Sequence, residues 1–318
     1  MHVGLVTLTD TDTALDLANA LSEAGELVSL YLSEKACLEL NETPAGYRSN
    51  LYDKGVIPLS CQVNIYRFPR MRDPRSIKVV IEICQQMYRD QVDLVHILAG
   101  PAEPWLAVLA CLIRSIPVVT TLIVPVANVG DPLSIWVELI NRLLISGSNL
   151  VIVNGQNQII PVQSQYKIPD HRIVHIPLGA RTSSAKWISG EVQEQPQTIL
   201  FFGRLAFYKG LEFLIRAQPL IAQQVPEARI LIAGFGDELA RCRTMISDES
   251  AFEIHEGVVA SELMANFFAR ASLVVLPYIS ASTSGVLLTA YEFGKPVIAT
   301  NVGSLPEYVV EGFTGLLI

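Results

Sequence analysis

Short runs of apolar residues alternate along the whole chain with stretches in which apolar positions recur every three or four residues. The runs predict strands at 3–8, 27–32, 63–66, 93–98, 117–122, 149–153 and 173–176, and the stretches between them predict helices. Strands covered on both faces would also explain the surplus of apolar residues in the chain. The pattern then pauses: residues 181–197, "RTSSAKWISGEVQEQPQ", are polar and aperiodic, which predicts a linker over the surface. It restarts with "TILFFGRL", "ARILIAGFG", "AFEIHEG", "ASLVVLPY" and "KPVIAT". The expectation is an α/β chain of two doubly wound domains, 1–180 and 198–318, with a site in the cleft between them, at the carboxyl ends of the strands.

Length and composition agree with this. At 318 residues, half of them hydrophobic, the chain is long enough for two cores. The net charge of −8 is shared by both halves, 13 basic and 17 acidic side chains in residues 1–180 and 10 and 14 in residues 181–318, which argues against a nucleic-acid partner. Five widely spaced cysteines form no CxxC pattern, so neither a zinc site nor a disulfide framework is expected, and a cytoplasmic location fits best. The start "MHVGLVTL" reads as a first strand rather than a signal peptide. The apolar stretch 105–127 resembles a membrane span, but Arg114 and Pro117 divide it into a helix and a strand, each too short to cross a bilayer.

Several stretches carry candidate chemistry. In "FFGRLAFYKGLEFLIRA" a strand ends at Gly203, Arg204 follows, and Lys209 stands at the start of a helix, where an anion would relieve the unfavourable charge. In "ARILIAGFGDELA", Gly234 and Gly236 let the backbone approach a ligand, although such turns also arise for steric reasons alone. Between the strand ending near Leu276 and the next helix lies an uncharged hydroxyl loop, Ser280, Ser282, Thr283 and Ser284, followed by Gly285. One hydroxyl suffices to cap a helix, so four suggest a seat for phosphate or sugar. Asp10 and Asp12 form a D-x-D pair that could hold a divalent metal. Thr7, Thr9, Thr11 and Thr13 crowd the same turn, and helix capping is the favoured reading. The basic run 67–78, "RFPRMRDPRSIK", reads as a solvated loop, with an anionic lipid headgroup or a phosphorylated acceptor as the alternative. His96 is expected to end its strand and face the cleft.

Residues 198–315 resemble a known family. "GRLAFYKGLEFLIRA", "VPEARILIAGFGDE", "ASLVVLPYISASTSGVLLTAYEFGKPVIATNVGSLPEYV" and "EGFTGLL" occur in the order of retaining glycosyltransferases of family 4. "DLVHILAGPAEPW", "PVVTTLIVPVANVGD" and "SNLVIVNGQNQ" are similar in layout to the amino-terminal half of that family. The resemblance implies the GT-B fold, two Rossmann-like domains facing across a cleft. It also implies transfer of a sugar, with retention, from a nucleotide-diphosphate donor to a glycan, lipid or small-molecule acceptor, without a required metal or other cofactor. Arg204 and Lys209 would be the catalytic cations neutralising the diphosphate. Gly203, Gly234, Gly236 and Val258 would border the donor, and Ser282, Thr283, Ser284 and Gly285 would cradle its phosphates, with Thr289 and Glu292 close by. Thr9, Asp10 and His96 would lie on the acceptor side. Peripheral contact with a membrane remains an option for a lipid-linked acceptor.

The chain departs from the family's pattern at three places. Ala281 and Thr289 stand where paired glutamates are common, Leu122 and Ile123 occupy the region of the family's acceptor-side histidine, and relatives continue beyond the equivalent of Ile318 with further helices. The expectation is therefore a second domain incomplete at its carboxyl end. The alternative to an active transferase is a protein of the same fold that binds a nucleotide or partner with little transfer; a nucleotide-sugar epimerase is a third reading.

Overall fold

The computed structural model describes residues 1–38, 42–69, 73–127 and 133–318. These divide into two compact units, one built from residues 1–127 and 133–179 and the other from 180–318.

The first unit is a parallel sheet of seven strands: β1 (His2–Thr7), β2 (Leu27–Ser33), β3 (Gln62–Tyr66), β4 (Leu94–Ala99), β5 (Val118–Leu122), β6 (Leu150–Val153) and β7 (Ile173–His175). The helices between them are α1 (Thr11–Glu23), α2 (Lys35–Leu38), α3 (Pro44–Asp53), α4 (Ser76–Arg89), α5 (Pro104–Leu112), α6 (Ser134–Gly147) and α7 (Ile159–Tyr166). The spatial order is β3-β2-β1-β4-β5-β6-β7, so the chain builds outward from β1, then crosses back to place β4 on its other side. The register runs from His2 beside Leu27 and from Val3 beside Leu94. Local sequence explains the helices: α4 buries Val80, Ile83 and Met87, spaced three and four residues apart. In α3, Pro44 opens the helix while Thr43 accepts the Gly46 amide at 3.1 Å.

The second unit repeats the plan with six parallel strands: β8 (Thr198–Phe202), β9 (Arg229–Gly234), β10 (Phe252–Glu256), β11 (Leu273–Leu276), β12 (Val297–Ala299) and β13 (Gly315–Leu317). Its helices are α8 (Leu211–Gln224), α9 (Glu238–Arg243), α10 (Ser261–Arg270) and α11 (Gly285–Glu292). The order β10-β9-β8-β11-β12-β13 again reverses beside the first strand. One core cluster of this unit gathers Phe201, Leu205, Ile215, Ile230, Ile232 and Leu239.

Each expected strand is present, and β13 is an addition that three residues could not announce. The stretch 105–127 divides as read: α5 ends at Leu112, Ile113 is extended, and β5 starts at Val118. Among the described residues no helix is long and apolar enough to cross a membrane. Residues 181–197, read as a surface linker, group with the second unit. They form a 3-10 turn, Ser184–Trp187, that packs on α10 and α11 with Trp187 only 5% exposed. Burial of one indole supplies the fixing force that the polar composition of this stretch conceals.

Candidate active site

In a doubly wound sheet, the loops that leave the two strands at the reversal point diverge and open a crevice at their carboxyl ends. In the second unit those strands are β8 and β11. The loop after β8 begins with Gly203, whose amide donates to the Ala233 carbonyl at 2.9 Å, and continues into Arg204, which is exposed. Gly234 closes the neighbouring turn at a φ of +151°, and a Cβ there would overlap the Gly203 carbonyl oxygen, so the two loops meet only because Gly234 has no side chain. Gly236 follows in the same turn, where the Leu205 amide donates to the Phe235 carbonyl at 2.7 Å. The Gly257 amide donates to the Gly234 carbonyl at 2.8 Å, and Val258 beyond it is half exposed at the same rim.

Lys209 lies deeper. It is 9% exposed and ends a 3-10 turn, Phe207–Lys209, which Gly210 leaves at a φ of +66°. A Cβ at Gly210 would overlap the Pro277 carbonyl oxygen, so this glycine brings the loop after β8 against the loop after β11. The contact is sealed by the Ile279 amide donating to the Tyr208 carbonyl at 2.7 Å. The Lys209 ammonium then sits 3.8 Å from the centre of the Tyr278 ring and 5.5 Å from that of Tyr208. Burial pushes its pKa down to about 8; Tyr208 opposes this and Arg204 adds to it.

The hydroxyl loop leads into α11. Ser284 is the N-cap, accepting the Leu287 amide at 3.4 Å, and its hydroxyl lies 3.2 Å from that of Tyr278. The Ser282 carbonyl accepts the Ser304 amide at 3.2 Å, and Thr283 is partly buried. An uncharged loop, a helix N-terminus and a buried ammonium linked by one ring form an anion-attracting corner. The guanidinium of Arg181 joins it, with Nη2 2.7 Å from where a Cβ of residue 285 would stand; Gly285 leaves that space open. Thr289 is buried, and its hydroxyl donates to the Gly285 carbonyl at 3.0 Å. Glu292 points the other way along the chain: its Oε1 accepts the Ala185 amide at 2.9 Å and holds the Ser184–Trp187 turn.

The first unit has its own reversal point, between β1 and β4, and a buried carboxylate occupies it. Glu103 has no exposed surface; it accepts the Thr9 hydroxyl at 2.8 Å and the Gly100 amide at 2.7 Å, clasping the loops after β1 and β4. Burial raises its pKa to about 7, against the two hydrogen bonds, which favour the charged form. Asp10 occupies the N-cap position of α1 but makes no side-chain cap; its own amide donates to the Thr7 hydroxyl at 3.0 Å, so the turn closes through threonine instead. His96 does not end its strand. It is the third residue of β4, which runs on to Ala99, and its Nε2 lies 2.8 Å from the Thr121 hydroxyl on β5. Burial drives its pKa down to about 4, so it is a neutral imidazole between strands. In the basic run, Arg67 meets Glu34 at 3.3 Å and Arg75 meets Asp73 at 2.5 Å, while residues 70–72 lie outside the described residues.

The structure thus gathers Gly203, Arg204, Lys209, Gly234, Gly236 and Ser282–Gly285 at one reversal point of one sheet. Thr9 and Asp10 stand at the other. Tyr278, Arg181 and Glu103 went unnoticed in sequence. Glu103 directly precedes Pro104 and reads there as an ordinary helix start, Tyr278 reads as the end of a buried strand, and Arg181 meets Gly285 from more than a hundred residues away.

Known proteins bear on this geometry. Residues 12–184 match the model of Glycosyltransferase Family 4, and residues 196–318 that of Glycosyl transferases group 1. A D-inositol 3-phosphate glycosyltransferase of Pseudarthrobacter chlorophenolicus is 27% identical over 95% of this chain and 76% of its own. Among solved structures, sucrose-phosphate synthase from Thermosynechococcus elongatus superposes on the whole chain and 86% of its own at a TM-score of 0.68, with 18% identity. Anabaena Alr3699/HepE in complex with UDP-glucose does so over the whole chain and 85% of its own at a TM-score of 0.65, with 17% identity. With two such sheets and a family match over more than half its length, the chain belongs to glycosyltransferase family 4.

Proposed function

We propose that the protein transfers a sugar from a nucleotide-diphosphate donor, with retention at the anomeric carbon and without a required metal, and that the donor's diphosphate binds at the reversal point of the second unit. The observation that carries this reading is Lys209. It is an ammonium nine-tenths buried among aromatic rings, its nearest ring bonded to the N-cap of α11, and Arg204 lies on the same loop. As the glycosidic bond breaks, negative charge builds on the β-phosphate, and fixed cations and amides aimed there lower the barrier. Lys209 and Arg204 would take that charge, and the amides of Gly285 and Val286 would bind the phosphate oxygens. Gly234, Gly236 and Val258 would border the nucleoside. A protein of the same fold, Anabaena Alr3699/HepE, is in complex with UDP-glucose, which supports a nucleotide sugar as the donor class.

The acceptor is a glycan, a lipid-linked sugar or a small polyol, met on the first unit near Thr9 and Asp10, and peripheral membrane contact accompanies the lipid-linked case. D-inositol 3-phosphate, named for a relative, belongs in the acceptor panel. A second reading, donor binding with slow transfer, draws on specific contacts. Ala281 offers no acceptor for sugar hydroxyls, the Thr289 hydroxyl is bonded to its own helix, and Glu292 is turned to Ala185. Turnover of a panel of UDP-, GDP- and ADP-sugars, followed by mass spectrometry, decides between them. Product formed faster than donor hydrolysis supports the transferase, whereas binding without product supports the second reading.

A further inference from the structure

Lys209 is buried deeply enough that it needs compensation, yet no carboxylate pairs with it among the described residues. The charged and titratable groups around it are few. On its own loop stand Arg204 and Tyr208; from the loop after β11 comes Tyr278; α11 brings no charge of its own before Glu292, which is bonded to Ala185, and the charge set against its first turn, Arg181 beside Gly285, is a second cation. Glu212, on the first turn of α8, reaches instead to Arg241 at 2.6 Å. What remains is the face of the Tyr278 ring, 3.8 Å from the ammonium. That ring is itself held. Tyr278 is 2% exposed, its carbonyl accepts the Thr300 hydroxyl at 2.6 Å, and its own hydroxyl meets the N-cap Ser284.

We propose that Tyr278 is a positioning residue for Lys209: the negative face of its ring keeps the ammonium charged and places it beside the N-terminus of α11, where the donor's diphosphate binds. The inference rests on the donor-site reading for its consequence, though not for its physical content. Ring quadrupoles favour a cation most where water is excluded. With burial pulling the Lys209 pKa to about 8, the residue is still mostly protonated at neutral pH; the ring face adds to that hold, and a bound anion would keep the charge at higher pH. Diphosphate binding above pH 8 then takes up a proton, and affinity declines as pH rises through that region.

The test isolates the ring's electrostatics from its shape. Tyr278→Phe removes the hydroxyl and keeps the face; 3,4,5-trifluorophenylalanine at position 278 keeps the outline and depletes the face. The Lys209 side chain is titrated by NMR in the unliganded protein, with its resonance assigned from a Lys209→Arg spectrum. Affinity for UDP, GDP, ADP and inorganic pyrophosphate is measured at pH 6.5 and pH 8. The expected result is a midpoint in Tyr278→Phe near that of the unmodified protein, and one lowered by about one pH unit in the fluorinated protein, as for a tenfold weaker hold on the proton. Affinity of the fluorinated protein for the anion that binds should fall several-fold more at pH 8 than at pH 6.5. A midpoint unmoved by fluorination would overturn the proposal, as would Tyr278→Phe shifting it as far as fluorination does, since the hydroxyl link to Ser284 would then be the agent. If none of the four anions binds at any pH, the donor-site reading fails, and the unliganded titration still decides the role of Tyr278.

Discussion

The two sheets reverse direction in the same way and fill the reversal point with opposite charge. In the first unit the loops after β1 and β4 are clasped by a fully buried carboxyl, Glu103, with both oxygens bonded to Thr9 and Gly100. In the second, the loops after β8 and β11 meet over a buried ammonium, Lys209, whose compensation is an aromatic face. A carboxylate that already has its donors holds two loops together and repels an anion. An ammonium without a carboxylate leaves a charge for a ligand to complete. One topology therefore yields a structural clasp in one unit and, in the other, the buried cation on which the proposed anion site rests, and side chains rather than strand order decide which.

The comparison breaks first, and with the largest effect, at Lys209. Lys209→Met should lower sugar transfer by about 10²–10³-fold, as loss of one transition-state charge contact does, while Glu103→Gln should leave donor affinity unchanged. Steady-state rates at saturating donor, with donor binding measured separately, check both.

Next in size are two opposite pH windows in stability. Glu103 has a folded pKa near 7, raised from 4.5, so its contribution is complete below 4.5 and is lost as pH rises to 7. Lys209 has a folded pKa near 8, depressed from 10.5, so its contribution is complete above 10.5 and is lost as pH falls to 8. Each window spans roughly 3 kcal/mol at most. Urea unfolding of the unliganded protein between pH 4.5 and 10.5 should show the acidic window flattened in Glu103→Gln and the alkaline one in Lys209→Met. Identical profiles in all three proteins would remove the electrostatic contrast.

Smaller still is the difference between neighbouring arginines. Arg204→Ala should weaken nucleoside diphosphate binding by about 10-fold, the scale of one charge-assisted hydrogen bond. Arg216→Ala, on the exposed face of α8, should change it less than 2-fold, within the range of about ±0.5 kcal/mol for surface substitutions. Equal losses in a binding titration would place the anion elsewhere. Smallest is Glu292→Gln, which weakens the acceptor of the Ala185 amide. It should cost about 1 kcal/mol, read as faster amide exchange at Ala185, with donor affinity unaffected.

Much of this architecture is legible in the sequence, because parallel strands covered on both faces are written as short, largely apolar runs, as in β1, β6, β9 and β11, whereas the edge strands β3 and β10 carry polar residues and are marked chiefly by their place between helical stretches. The glycines and cations at strand ends were legible for the same reason, since Gly203, Arg204 and Gly234 sit where a run stops. What was hidden depends on contacts across long stretches of chain. Thr9 and Glu103 are 94 residues apart, and Ala185 and Glu292 are 107 apart. No local pattern marks Tyr278 as the ring over Lys209. His96 was misread because the strand continues past it, and its imidazole found Thr121 on the adjacent strand rather than an open edge.

The central claim is that the anion belongs to the second reversal point, and calorimetric titration of UDP, GDP and ADP at pH 7 tests it most directly. The account predicts that at least one binds the unmodified protein, that Glu103→Gln binds it equally well, and that Lys209→Met binds it at least about 10-fold more weakly. Binding that survives Lys209→Met intact, or no binding by the unmodified protein to any of the three, would contradict it.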